Sequence, residues 1–95
     1  MRTIIRAAKP SDLAYITDVW VTQATRYVNM SIRAVKARAQ YLLEHSRTTV
    51  ACLPDDQDAI VGFAVFEGSR VHMAYVRASA RRLGVARALF KETCR

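Results

Sequence analysis

The stretch VHMAYVRASARRLGVARALF, Val71 to Phe90, decides how the chain is read. Its first part is rich in β-branched and aromatic residues, as strands are, and its last part places Val85, Ala86, Leu89 and Phe90 at helical spacing. Between them lie two arginines, Leu83 and Gly84. A glycine adopts backbone conformations closed to other residues. The first turn of a helix presents N–H groups with no partner inside the helix, together with the positive end of its dipole. A strand that turns through Gly84 into a helix therefore reads as an anion cradle. The amides from Arg82 through Leu83, Gly84, Val85 and Ala86 to Arg87 would line it. The side chains of Arg77, Arg81, Arg82 and Arg87 are available to meet phosphate.

Upstream, RTIIRAA (residues 2–8) is a short strand-forming run, and KPSD supplies a turn with Ser11 as the expected cap of the next helix. Leu13, Ile16, Trp20, Ala24 and Tyr27 recur at spacings of three and four, which predicts one buried stripe on a helix over residues 12–28. Ser31 then caps a second helix. Its buried face is expected to carry Ile32, Val35, Ala39, Leu42 and Leu43, and its outer face Arg33, Lys36, Arg38 and Glu44. From Thr48 the pattern changes to TTVACL, AIVGFAVFEG and VHMAYVR, separated by PDDQD and SR, and this predicts a three-strand antiparallel meander. The order is β-α-α-β-β-β-α, an α/β fold with a mostly antiparallel sheet.

With this order in place, the run Arg81-Arg82-Leu83-Gly84-Val85-Ala86 resembles the coenzyme A motif of the Gcn5-related N-acetyltransferase (GNAT) superfamily: Arg or Gln, two residues, Gly, one residue, then Gly or Ala. VHMAYVRASA resembles the family's fourth strand and the loop after it. The resemblance covers all 95 residues and corresponds to the N-terminal part of the fold, since the sequence stops inside the helix that leads to a fifth strand in the family. It implies acetyl-CoA as co-substrate and a primary amine as acceptor. The pyrophosphate would lie on residues 81–87, and the pantetheine arm would pair with the backbone of Met73, Ala74, Tyr75 and Val76 as an added strand. Some members place a histidine base where His72 stands. The chemistry asks for such a group, because an ammonium must lose a proton before it attacks a thioester, and imidazole titrates near neutral pH. The alternative for His72 is a packed or surface strand histidine. Simple alternation puts it on one face with Ala74 and Val76, opposite Met73 and Tyr75.

Size and composition set the remaining expectations. Ninety-five residues, 52% of them hydrophobic and with no low-complexity tract, fit a single domain over residues 1–95. The apolar runs fall short of the roughly 20 residues a membrane span needs, and the first residues do not resemble a secretory signal. A cytoplasmic address is therefore expected. Fifteen Lys and Arg against eight Asp and Glu give a formal charge of +7, which favours anionic partners. No helix-turn-helix, RNA-binding motif or zinc finger accompanies that charge, so nucleic acid is not among the expected partners. Cys52 and Cys94 read as reduced thiols, and Asp55, Asp56 and Asp58 as a solvated turn, so no metal is expected. Trp20 reads as core, and His45 as a cation near a helix C-terminus.

A fourth strand ending the sheet would carry a bare edge, and such an edge recruits partners. Two classes of function follow. One is an acetyl-CoA-dependent N-acetyltransferase. The other is a non-catalytic interaction or assembly module of the same ancestry, whose open edge is covered by a second copy of the chain or by another protein.

Overall fold

The computed structural model describes residues 2–27 and 29–93, with side chains left out at Tyr27, Glu92 and Thr93. The expected core position of Tyr27 and the reading of Cys94 lie outside the described side chains. Strand β1 (Ile4–Ala7) leads through a 3-10 turn (Pro10–Asp12) into α1 (Leu13–Tyr27) and α2 (Ile32–His45). Strands β2 (Arg47–Leu53), β3 (Asp56–Glu67) and β4 (Arg70–Val76) follow, then a second 3-10 turn (Ala78–Ala80) and α3 (Val85–Thr93). The four strands lie in the order β1-β2-β3-β4, with every neighbouring pair antiparallel. This is the expected α/β order with its meander, and β4 stands at one edge of the sheet.

The sheet has a hydrophobic cluster on each face. Ile16, Trp20, Ala39, Val50, Ile60, Phe63 and Val65 form the core under α1 and α2. Ala51, Val61, Ala64, Ala80, Val85 and Leu89 form the other, under α3. Strict alternation would put Ile60 and Phe63 on opposite faces. A register shift opposite Ala51 and Cys52, which pair with Gly62 and Ile60, leaves Val61 as an extra residue and brings both side chains to the α1/α2 side.

Three local expectations are corrected. Ser11 does not cap α1. Asp12 holds the turn instead, accepting from the Lys9 backbone N–H (2.7 Å) and from both Nη atoms of Arg6 (2.7 and 3.2 Å). Leu13 and Ile32, expected in the buried stripes, are 39% and 65% exposed: Leu13 lines an open hollow between α1 and α2, and Ile32 is the first residue of α2. Ser31 does cap α2, accepting from Ala34 N–H at 3.1 Å, and Val35 and Ala39 are buried as their spacing predicts. His45 ends α2 with its ring stacked on Tyr41 and Nδ1 2.8 Å from the Tyr41 carbonyl.

Candidate functional site

The register of β4 fixes which of its backbone groups are available. Arg77 N–H donates to the Val61 carbonyl at 2.8 Å, so Arg77 faces β3. In an antiparallel ladder this orientation alternates, and Gly62–Val76 and Ala64–Ala74 become the non-hydrogen-bonded pairs, so that Val76 and Ala74 point their N–H and C=O away from β3. Of the four residues expected to pair with a pantetheine arm, Ala74 and Val76 therefore offer backbone groups at the open edge. Met73 and Tyr75 use theirs within the sheet and pack their side chains into the core under α1 and α2. Between this edge and α1 lies a groove of about 500 Å³, bounded by Gln23, Ala24, Ala74, Val76 and Arg81.

The groove runs into the cradle. After the turn Ala78–Ala80, pinned by Ala80 N–H to the Arg77 carbonyl (2.9 Å) and by burial of Ala80, the chain passes through two left-handed residues, Arg82 (φ 65°) and Gly84 (φ 84°). Helix α3 then starts, with Ala88 N–H donating to the Gly84 carbonyl at 3.1 Å. The amides of Val85, Ala86 and Arg87 precede the first bond of that ladder, so none has an acceptor inside the helix. A concavity of about 330 Å³ lies against them, lined by Val76, Arg81, Arg82, Gly84 and Arg87. The two hollows share Val76 and Arg81. A Cβ at Gly84 would meet nothing within 4 Å, so the glycine serves the turn's conformation and not a close approach.

Four expected residues stand elsewhere or in unexpected roles. Arg77 lies beside the Tyr15 hydroxyl on the α1 side of the sheet, in a separate hollow with Ser11 and Asp58. Burial pushes that Tyr15 hydroxyl above its ordinary value, and the Arg77 charge opposes the shift. Arg81 turns its Nε–H back to the Val76 carbonyl at 3.0 Å. Leu83 is 44% exposed within the turn. His72 falls at a register shift in the β3–β4 pairing, where Val65 pairs with Met73 and Phe66 with Val71, so it is the extra residue and simple alternation does not place it. Its side chain is only 11% exposed, with Nε2 3.3 Å from Glu67 Oε1 at the hairpin end of β4, four residues from Val76. Among the described residues the two hollows that share Val76 and Arg81 gather Met73, Ala74, Tyr75, Val76, Arg81, Arg82, Gly84, Val85, Ala86 and Arg87, and His72 and Leu83 line neither.

Sequence reasoning missed Gly62. A Cβ there would stand 2.8 Å from the Tyr75 carbonyl and 3.2 Å from Val85 Cγ1, so this glycine lets α3 lie close against the sheet. The only signal was a glycine inside an apolar strand run. Glu67, the partner of His72, was missed as well, because five residues of separation reveal a pair only once the hairpin is closed.

A family model described as the acetyltransferase (GNAT) domain matches residues 16–94. No curated protein matches the sequence. Solved structures share the fold. A GCN5-related N-acetyltransferase from Rhodopseudomonas palustris is 24% identical with a TM-score of 0.69, over 98% of this chain and 64% of its own. A ribosomal-protein-alanine N-acetyltransferase from Brucella melitensis is 18% identical with a TM-score of 0.68, over 97% and 69%. YncA from Salmonella typhimurium, with its cofactor acetyl-CoA, is 20% identical with a TM-score of 0.60, over 97% and 61%. The chain thus spans about two thirds of the length of the structures it resembles.

Proposed function

Starting from the fact that this chain belongs to the GNAT acetyltransferase family, we propose that it binds acetyl-CoA along β4 and α3 and moves the acetyl group to a primary amine. The observation that carries this reading is the continuity of two surfaces. The outward N–H and C=O of Ala74 and the outward N–H of Val76, whose carbonyl is held by Arg81, end where the left-handed turn Arg82–Gly84 opens the N-terminus of α3. The first surface suits the amides of a pantetheine arm, which would add to the sheet as a strand. The second suits a pyrophosphate, held by the amides of Val85 to Arg87 and neutralised by Arg82 and Arg87.

In the transfer, the free amine attacks the thioester carbonyl carbon, a C–N bond forms, and the C–S bond breaks. The coenzyme leaves as a thiolate that takes up a proton, and the amine gives one up. His72 is the group we assign to remove that proton, directly or through a water. The Glu67 carboxylate orients its ring and stabilises the imidazolium formed. Acetyl transfer is the activity of the family, whereas the acceptor and the role of His72 are part of the proposal.

Calorimetric titration of acetyl-CoA tests the reading. Saturable binding is expected, and it should be lost on Gly84→Trp, which forces a bulky residue into a left-handed conformation. If the wild-type chain gives no heat at several temperatures, the reading fails. Once binding is established, His72→Ala should lower kcat against an accepted amine by about 10²-fold with little change in KM.

One observation favours a second reading, a module that docks a partner. The edge of β4 is open, and Val71 on the same strand is 40% exposed. That reading predicts an oligomer or complex by light scattering together with indifference to acetyl-CoA.

A further inference from the structure

Arg81 is the residue shared by the groove and the cradle whose hydrogen bond points back into the protein. Its Nε–H donates to the Val76 carbonyl at 3.0 Å, across five residues. That carbonyl belongs to the last residue of β4 and points off the open edge, away from β3. The intervening loop is tied at its entry by Arg77 N–H to the Val61 carbonyl (2.8 Å) and in its middle by the buried Ala80. At its exit, Arg81 N–H makes a long bond to the Ala78 carbonyl (3.4 Å), so the shorter Arg81 side-chain bond is the stronger restraint there. The next residue, Arg82, already has φ 65°, so the angle at which the chain enters the cradle is set where Arg81 holds it.

We infer that Arg81 is a positioning residue, not a phosphate ligand: its Nε–H clamps the end of β4 to the mouth of the cradle, and its charge is dispensable. This rests on the reading of the cradle as a coenzyme A site. The chemistry separates the two roles cleanly. Glutamine carries its side-chain nitrogen at the same position along the chain as arginine Nε, so Arg81→Gln keeps a donor for the Val76 carbonyl and removes the charge. Arg81→Lys keeps the charge, and its chain has a methylene where Nε was. A phosphate-binding role predicts the opposite ranking of these two variants.

The test compares acetyl-CoA affinity, its salt dependence and the NMR signals of the unliganded chain for wild type, Arg81→Gln, Arg81→Lys and Arg82→Gln. Arg81→Gln should bind within about twofold of wild type with an unchanged salt slope. Arg81→Lys should bind about five- to tenfold more weakly, the loss of one hydrogen bond at a carbonyl that stays in place. Arg82→Gln should flatten the salt slope, marking a residue whose charge does meet phosphate. In the unliganded chain, the Arg81 Nε–H should exchange more slowly than a free arginine's. The Val76 carbonyl shift should be kept in Arg81→Gln and moved in Arg81→Lys. Stronger binding by Arg81→Lys than by Arg81→Gln overturns the inference, and so does an Nε–H that exchanges as though free. If no variant and no wild type binds acetyl-CoA, the coenzyme reading falls, while the two NMR measurements still decide the clamp.

Discussion

At the scale of single residues, two positions are held by backbone or charge in ways that a variant exposes. Gly84 sits at φ 84° with open space around it, so Gly84→Ala introduces no clash and acts through conformation alone. Its expected cost is about 1 kcal/mol of stability, read by thermal unfolding, with a larger loss in acetyl-CoA binding because the cradle turn is where the strain would be relieved. Asp12 is 4% exposed and accepts three hydrogen bonds from Arg6 and Lys9. The Arg6 guanidinium holds its carboxyl below the ordinary carboxylate value against the opposing effect of burial. Because the folded value lies below the unfolded one, this contribution is present above the unfolded value, near pH 4, and is lost as pH falls through the folded value. Asp12→Asn should destabilise the chain by about 2–3 kcal/mol at neutral pH and flatten the acid limb of its stability profile, measured by denaturant unfolding between pH 2 and 7.

At the scale of elements, the decisive contact is α3 on β3. Gly62, Val85 and Leu89 meet where a side chain on the strand would strike the Tyr75 carbonyl at 2.8 Å, so Gly62→Val must push α3 or β4 outward. A loss of about 1–3 kcal/mol is expected. Displacing α3 also moves the amides of Val85 to Arg87, so acetyl-CoA binding should weaken in a variant at a residue that does not itself line the cradle. A Gly62→Val chain that stays folded and binds normally would show that the cradle does not depend on this contact. The edge of β4 belongs to the same scale. Its outward groups, the N–H and C=O of Ala74 and the N–H of Val76, can serve a pantetheine arm or a partner strand but not both, so acetyl-CoA should dissociate any edge-paired oligomer, a change light scattering reads directly.

At the scale of the whole molecule, a formal charge of +7 sets up a field that draws in anions from a distance. The association rate for acetyl-CoA should therefore fall as ionic strength rises, more steeply than the dissociation rate changes. Among the described residues no helix is long and apolar enough to cross a membrane.

The order of elements, the Ser31 cap and the buried Val35 and Ala39 of α2, the meander and the turn at Gly84 were all legible in the sequence, because each depends on residues near one another along the chain. Helical spacing, strand composition and a glycine before a helix are local chemistry, and the family motif over Arg81 to Ala86 is built from the same local features. What the sequence left open was decided by registers and faces. Which of residues 73–76 turn their backbone outward depends on the pairing of β4 with β3. Register shifts, among them those at Val61 and at His72, reset the alternation that a linear reading assumes. Arg77 and Arg81 look alike in sequence. The fold sends one to Tyr15 on the α1 side and turns the other back onto the end of β4, because the 3-10 turn Ala78–Ala80 lies between them. Side-chain chemistry was set by composition; the direction each side chain takes was set by long-range pairing, which no local pattern encodes.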